Sequence, residues 1–430
     1  MCLTLARAAP VAAVCWFFAA TPATVDAQHA DTVTDTLRLD LAAARRIGLA
    51  SSPVLQAAQA GVASALGTRR QAGAYLFNPN VELKLSSLID PGDLGKFEGI
   101  LTQEFEWAGQ WGLRKSAAEY GVAVAEGSAN EVARRTVLAI DAAFFQAVVA
   151  AHRLEVRMLG LDLTDRFQEA VRIQAREGKA STLEVNIAQI EFGRARAAER
   201  GARSALRVAL VELARTIGLP PDRPIVTVDA APGGPDPRAL DPDSLLVLAL
   251  ATRPDLRAIE AAMARAEANR RLVSREAIPN LRVAAVATRG AVGEEVLWGL
   301  RFGFLVPLWN ANGGLSDQWR GEAERAQAQR DAIELAVRAD ITSALEVYRS
   351  AWDELEAFER DVRRPARANQ QLLQTAYDAG RMDLPTVMLL RTQLLEAELG
   401  YWDAWLSERM ALASLQAAVG EIEDGPTSGR

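Results

Sequence analysis

The chain has 430 residues, half of them hydrophobic but only 6% aromatic, with 48 Lys and Arg against 55 Asp and Glu for a formal charge of -7. Neither sign forms a block, which excludes the basic footprint of a nucleic-acid binder. Both cysteines, Cys2 and Cys15, fall at the extreme N-terminus, so the rest of the chain holds neither a disulfide nor a thiolate metal site.

Arg7 precedes an apolar run from Ala8 to Ala20 that is too short to cross a bilayer comfortably, and Val25 and Ala27 occupy the small-residue positions before a cleavage site. Residues 1–27 are therefore expected to be an export signal, leaving Gln28 as the mature start. The alternative of a lipidated Cys15 is disfavoured by Val14, where a small Ala or Gly is expected. No later stretch offers 18 consecutive apolar residues. A membrane crossing by the mature chain would have to use strands of a closed barrel.

The mature sequence is written twice at a spacing of about 200 residues. Leu41 to Ala50, Ser52-Pro53-Val54-Leu55 and Asn78-Pro79-Asn80-Val81 return as Leu245 to Ala251, Arg253-Pro254-Asp255-Leu256 and Ile278-Pro279-Asn280-Leu281. Trp107-Ala108-Gly109 is echoed by Trp309-Asn310-Ala311, and Ala175 to Lys179 by Tyr377 to Arg381. The expected organisation is a first repeat over 28–217, a proline-rich linker over 218–242, a second repeat over 243–420 and a tail over 421–430. Pro220 to Pro242 alone carries seven prolines in 23 residues, and the linker is expected at mid-height on the outside of the helices.

Each repeat predicts a short helix, a β-hairpin and a long helical hairpin. In the first, Val81, Leu83 and Leu85 alternate with Glu82, Lys84 and Ser86 before a turn at Asp90-Pro91-Gly92-Asp93. Leu101, Phe105 and Trp107 then alternate with Thr102, Glu104 and Glu106, a period of two that gives an apolar face and an acidic one. The second hairpin sets Leu281, Val283, Ala285 and Ala287 against Asn280, Arg282 and Thr288, returning through Trp298, Leu300, Phe302, Phe304 and Val306. Strands of about ten residues with Trp near their ends suit a tilted crossing of hydrocarbon. Two ordinary hairpins on a soluble helical protein are the competing reading.

From about Gln110 to Ala175 no proline interrupts the helical pattern, on the order of 100 Å of helix. The counterpart runs from Leu315 to Tyr377, with Pro365 expected to kink rather than end it. Returning helices are expected over about Thr182 to Thr216 and Thr386 to Val419. Gly178 and Gly380 suit the left-handed residue that closes a helix. Ser181 with Glu184 forms a capping box, and Asp383 precedes Leu384-Pro385 at the equivalent place. Such tips belong to paired long helices.

No catalytic constellation emerges. Mature histidines are His29 and His152 only, Gly313-Gly314 lacks the Lys-Ser/Thr of a nucleotide loop, and the carboxylates form no short acid/base motif. No cofactor is expected. What remains is the wall of a passage: Glu82, Lys84, Glu104, Glu106 and Arg282 are candidates for a water-filled lumen, where rings of charge select solutes. Since four strands leave open edges, a barrel would need several subunits.

Leu39 to Ala50 with Ser52-Pro53, Arg70-Gln71-Ala72-Gly73, Asn78-Pro79-Asn80 and above all Gln103-Glu104-Phe105-Glu106-Trp107-Ala108-Gly109 resemble the TolC-type outer membrane efflux protein family. The chain looks most like the CzcC-like subunits of heavy-metal efflux. The resemblance implies a mainly α fold with transmembrane β-strands: a homotrimer whose barrel sits in outer-membrane lipid and continues as a periplasmic helical tunnel. It implies docking on a periplasmic adaptor protein, coupling to a proton-driven inner-membrane pump, and no catalysis. Gly178, Lys179, Ser181, Gly380, Arg381 and Asp383 are the candidate tip and docking residues. Thr386 and Leu389 stand where the family's best-known member carries acidic rings. Heavy-metal cations are the expected cargo, with drugs or other small molecules as the alternative; a periplasmic structural rod is the reading outside the family.

Overall fold

Asp40 starts the first helix by accepting the Ala43 N–H at 2.6 Å, and Pro53, which cannot continue that helix's bonding, restarts it. These residues give β1 (Leu37–Leu39), α1 (Leu41–Ser51) and α2 (Pro53–Gly73). The first repeat continues with β2 (Asn80–Ser86), β3 (Lys96–Phe105), α3 (Gln110–Arg176) and α4 (Thr182–Thr216). After β4 (Ile225–Thr227) the second repeat follows as α5 (Pro242–Thr252), α6 (Pro254–Glu276), β5 (Leu281–Arg289), β6 (Leu297–Gly303), α7 (Gly313–Ala357) and α8 (Leu384–Val419). The structure, a computed structural model, describes residues 36–86, 96–228, 233–290, 294–369 and 384–420. The expected export signal over 1–27, the expected turn at Asp90 to Asp93, the expected second tip with Gly380, Arg381 and Asp383, and the tail lie outside these residues.

The duplication extends to single hydrogen bonds. Ser51 Oγ donates to the Ile217 carbonyl at 2.8 Å, and Thr252 Oγ1 donates to the Val419 carbonyl at 2.9 Å. Each accepting carbonyl is followed by a glycine with positive φ, Gly218 at 75° and Gly420 at 88°. The end of each returning helix is thus clasped by the break between the two short helices of its own repeat.

Two features escape sequence periodicity. Strands β1 and β4 pair in parallel, Leu37 opposite Ile225, and tie the start of the chain to the linker; three residues are too few to show alternation. The long second helix changes to π geometry over Phe358–Arg363 and is helical again over 364–369, straight through Pro365. Proline cannot supply the N–H for the carbonyl four residues back, and a wider turn absorbs the misfit. Phe358 packs there so closely on Gly400 that a Cβ at Gly400 would stand 2.6 Å from its ring.

The core lies where the long helices of both repeats pack together. Ile140, Phe144 and Val148 of α3 pack with Leu39, Leu213, Ile217 and Trp405, while Leu345 and Tyr348 of α7 pack with Leu415 and Val419 of α8. Over one 18-residue window α3 is apolar enough to cross a membrane, but more than half of that window is buried against other helices. His152 stacks on Trp402 at 3.7 Å and pairs with Glu155 at 3.0 Å. The linker runs along α7: the Tyr348 hydroxyl donates to the Pro235 carbonyl at 2.8 Å, and Arg238 reaches Asp353 at 2.7 Å.

Buried charges among the described residues differ in how well they are partnered. Arg45 and Asp141 form a two-pronged bond, both contacts at 2.8 Å, between α1 and α3. Glu408 is 1% exposed, neither of its oxygens accepts a hydrogen bond from a described residue, and Arg409 Nε stands 3.3 Å away as its ion-pair partner. Burial pushes its carboxyl above the ordinary 4.5, and Arg409 only partly offsets this. The folded chain therefore holds this proton more tightly than the unfolded chain, so stability falls as pH rises through the folded value. Glu408→Gln is expected to raise the melting temperature at mildly alkaline pH and to lose that advantage as pH drops below the unfolded value of about 4.5. Parallel melting profiles for the two proteins across that range would contradict the assignment.

Candidate channel wall

The two hairpins fuse into a single antiparallel sheet in the order β2-β3-β5-β6. Register decides its faces: Val81 lies opposite Leu101, Leu101 opposite Ala285, and Ala285 opposite Leu300. One face therefore collects Val81, Leu83, Leu85, Phe97, Leu101, Phe105, Leu281, Val283, Trp298, Leu300 and Phe302. Leu85 is 82% exposed and Trp298 80%, values that water makes unfavourable for a contiguous apolar surface. The interruptions on this face sit near its ends. Gln103 spends its amide on the Phe77 and Glu104 carbonyls, and Arg289 lies 5.4 Å over the Phe97 ring.

The opposite face carries the charged side chains, with Ile100, Val286 and Leu297 among them. Glu82 is exposed and accepts from Asn80 Nδ2 at 2.8 Å; Lys84 lies directly across from Glu98. Glu104 accepts from Arg282 Nε at 2.8 Å and from Asn280 Nδ2 at 2.9 Å, joining the two hairpins. Glu98 approaches Arg301 of β6 at 3.9 Å. The face is therefore not acidic, as the first hairpin alone suggested, but mixed in sign. Lys96, Glu98 and Arg301 belong to it and escaped the sequence reading, which began the return strand at Leu101; carrying the period of two back to Lys96 and through Arg301 would have found them.

Glu106 is a correction. Strand β3 ends at Phe105, and the Glu106 side chain, 3% exposed, is locked against Arg114 of α3, one contact at 3.2 Å. This carboxylate neutralises a half-buried guanidinium at the sheet–helix joint and is not presented as an exposed charge on the sheet. The second hairpin is corrected likewise, since Phe304 and Val306 follow the end of β6 at Gly303. Around this joint Gln110, 1% exposed, donates to the Arg275 carbonyl and to Asn280 Oδ1, and Trp107 Nε1 donates to the Pro279 carbonyl at 2.8 Å. The Trp107-Ala108-Gly109 motif is a hinge from strand to helix: Gly109, at φ 81°, caps α3 as Asn312, at φ 61°, caps α7.

At the far end of α3, Gly178 has φ 72°, and its N–H bonds the Ala175 carbonyl while the Lys179 N–H bonds that of Gln174. Lys179 is exposed and pairs with Glu177 at 2.9 Å, and the Ser181–Glu184 capping box is complete. Residues 46–219 match the family described as outer membrane efflux protein. Over this stretch, most of the first repeat, the sequence is similar to that family. The outer membrane channel CmeC of Campylobacter jejuni superposes with a TM-score of 0.72 at 13% identity, over 88% of this chain and 85% of that one. VceC of Vibrio cholerae gives 0.70 at 17% identity over 88% and 96%, and the open-state MtrE channel of Neisseria gonorrhoeae 0.67 at 17% over 88% of each. A comparison with curated protein sequences gave no significant match. Over most of its length the chain thus has the fold of these channels.

Proposed function

We propose that this chain is the outer-membrane channel subunit of a tripartite efflux system. Three copies pool their strands into one barrel and their helices into one periplasmic tunnel, a passive conduit with no catalysis of its own. The observation that carries this reading is a sheet with an apolar outer face and two open edges, β2 and β6. Such edges cannot be left in hydrocarbon. All neighbours in the sheet are antiparallel, so β6 of one copy runs opposite to β2 of the next and can continue the ladder around a ring. Glu82, Lys84, Glu98, Glu104, Arg282 and Arg301 then face the lumen. The Gly178–Ser181 tip docks a periplasmic adaptor, which links the conduit to a proton-driven inner-membrane pump. Export through the 1–27 signal delivers the chain, barrel in the outer membrane and helices in the periplasm.

The cargo is small solutes. Heavy-metal cations rest on the CzcC-like resemblance, and the mixed signs of the polar face give them no particular advantage over organic solutes. The experiment is cysteine accessibility in reconstituted protein. Leu83→Cys should react with a lipid-phase maleimide and Glu82→Cys with a membrane-impermeant one, opposite results at adjacent positions, in an oligomer that dissociates on heating. Equal aqueous reactivity at both positions would replace the channel with a soluble helical rod.

A further inference from the structure

Below the sheet, α2, α3, α6 and α7 form one layer, and a cavity of about 420 Å³ opens on it, lined by residues from all four helices. Among these are Gln71 of α2, Leu76 just beyond it, Arg114 of α3, Arg265 and Asn269 of α6, and Trp319 of α7. Arg114 bonds Glu106, the residue directly after β3, so the cavity opens next to the sheet. On the channel reading, on which this inference rests, the cavity faces the lumen.

The lining differs from an ordinary packing defect in having chemistry left over. Arg114 is neutralised by Glu106, with Glu276 close by. Arg265 is exposed, and its guanidinium has no hydrogen bond or ion pair with any described residue. The half-buried Trp319 indole has no hydrogen-bond partner among those residues either. A guanidinium seeks a carboxylate, sulfonate or phosphate, while an indole face and the alanines around it, Ala65, Ala72 and Ala117 among them, favour a flat apolar body. The volume lies in the range of small-molecule sites, about 300–1,000 Å³. We propose that this cavity is a stopping site in the tunnel wall for small aromatic organic anions, held by the charge of Arg265 and stacked against Trp319.

The test uses the purified full-length protein, with naphthalene-2-sulfonate as the probe and the cationic (2-naphthyl)trimethylammonium as its counterpart. Calorimetric titration should give saturable sulfonate binding, weakened about tenfold or more in Arg265→Ala and in Trp319→Ala. Arg265→Lys should retain much of the affinity, and the ammonium probe should fail to bind. Arg265 is exposed, so its variants should keep the wild-type helical circular dichroism. Conductance in planar bilayers is measured on the same preparations. Conducting protein that binds the sulfonate equally well without Arg265, binds the ammonium as tightly, or binds neither, would overturn the site and leave the channel standing. Arg265-dependent binding by protein that never conducts would uphold the site and overturn the channel.

Discussion

Arg253→Ala is expected to cost about 3–5 kcal/mol of stability, because it strips the cation from a buried ionic cluster and leaves the anion behind. Arg253, its side chain 6% exposed, stands at the break between α5 and α6. It reaches Asp255 at 2.6 Å, Asp340 of α7 at 3.3 Å and the Ala418 carbonyl of α8 at 3.2 Å. One guanidinium therefore gathers three helices of the second repeat. Burial pushes the Asp255 carboxyl up, but the hydrogen bonds and charge of Arg253 outweigh it and hold the group below its ordinary 3.8. That contribution is present above the unfolded value and is lost as pH falls through the folded one. The difference between wild type and variant, read from urea unfolding in detergent, should accordingly shrink in acid. A variant within about 1 kcal/mol of wild type at neutral pH would show that the cluster is solvated after all.

Gly218→Ala is expected to destabilise by about 2–3 kcal/mol and Gly420→Ala by about 1 kcal/mol, although the two glycines hold the same place in the duplicated clasp. Both have positive φ, which any Cβ strains. The difference lies in what the new methyl would meet. At Gly218 it would stand 2.5 Å from the Ser51 carbonyl oxygen, a backbone atom that cannot move without breaking the end of α1. At Gly420 its nearest neighbours are Arg253 atoms at 3.1 Å and 3.2 Å and the Thr252 hydroxyl at 3.2 Å, which can give by a few tenths of an ångström. Equal melting temperatures for the two variants would refute this reading of the repeat.

How much was legible beforehand depended on whether a residue's role was local. The Gly178 closure and the Ser181–Glu184 box could be read from a few neighbouring side chains, and α3 and α4 end within a residue of expectation. The alternation of Val81, Leu83 and Leu85 with Glu82 and Lys84 was equally plain. Glu106 was misread for the complementary reason. Its period placed it on the polar face, but its partner Arg114 lies on the next helix, and nothing in the run from Leu101 to Trp107 announces where the strand stops.

Sequence by itself determined the duplication, the long helices and their caps, and the two-sided character of each hairpin, because all of these follow from spacing along one chain. Only the tertiary structure decided that the hairpins fuse through β3 and β5, that Arg282 cancels Glu104, that Arg253 and Glu408 are buried, and that Arg265 and Trp319 line one cavity. Those outcomes depend on which side chains, some of them about 200 residues apart, are brought to one place, and charge and burial there are properties of the neighbourhood rather than of the residue.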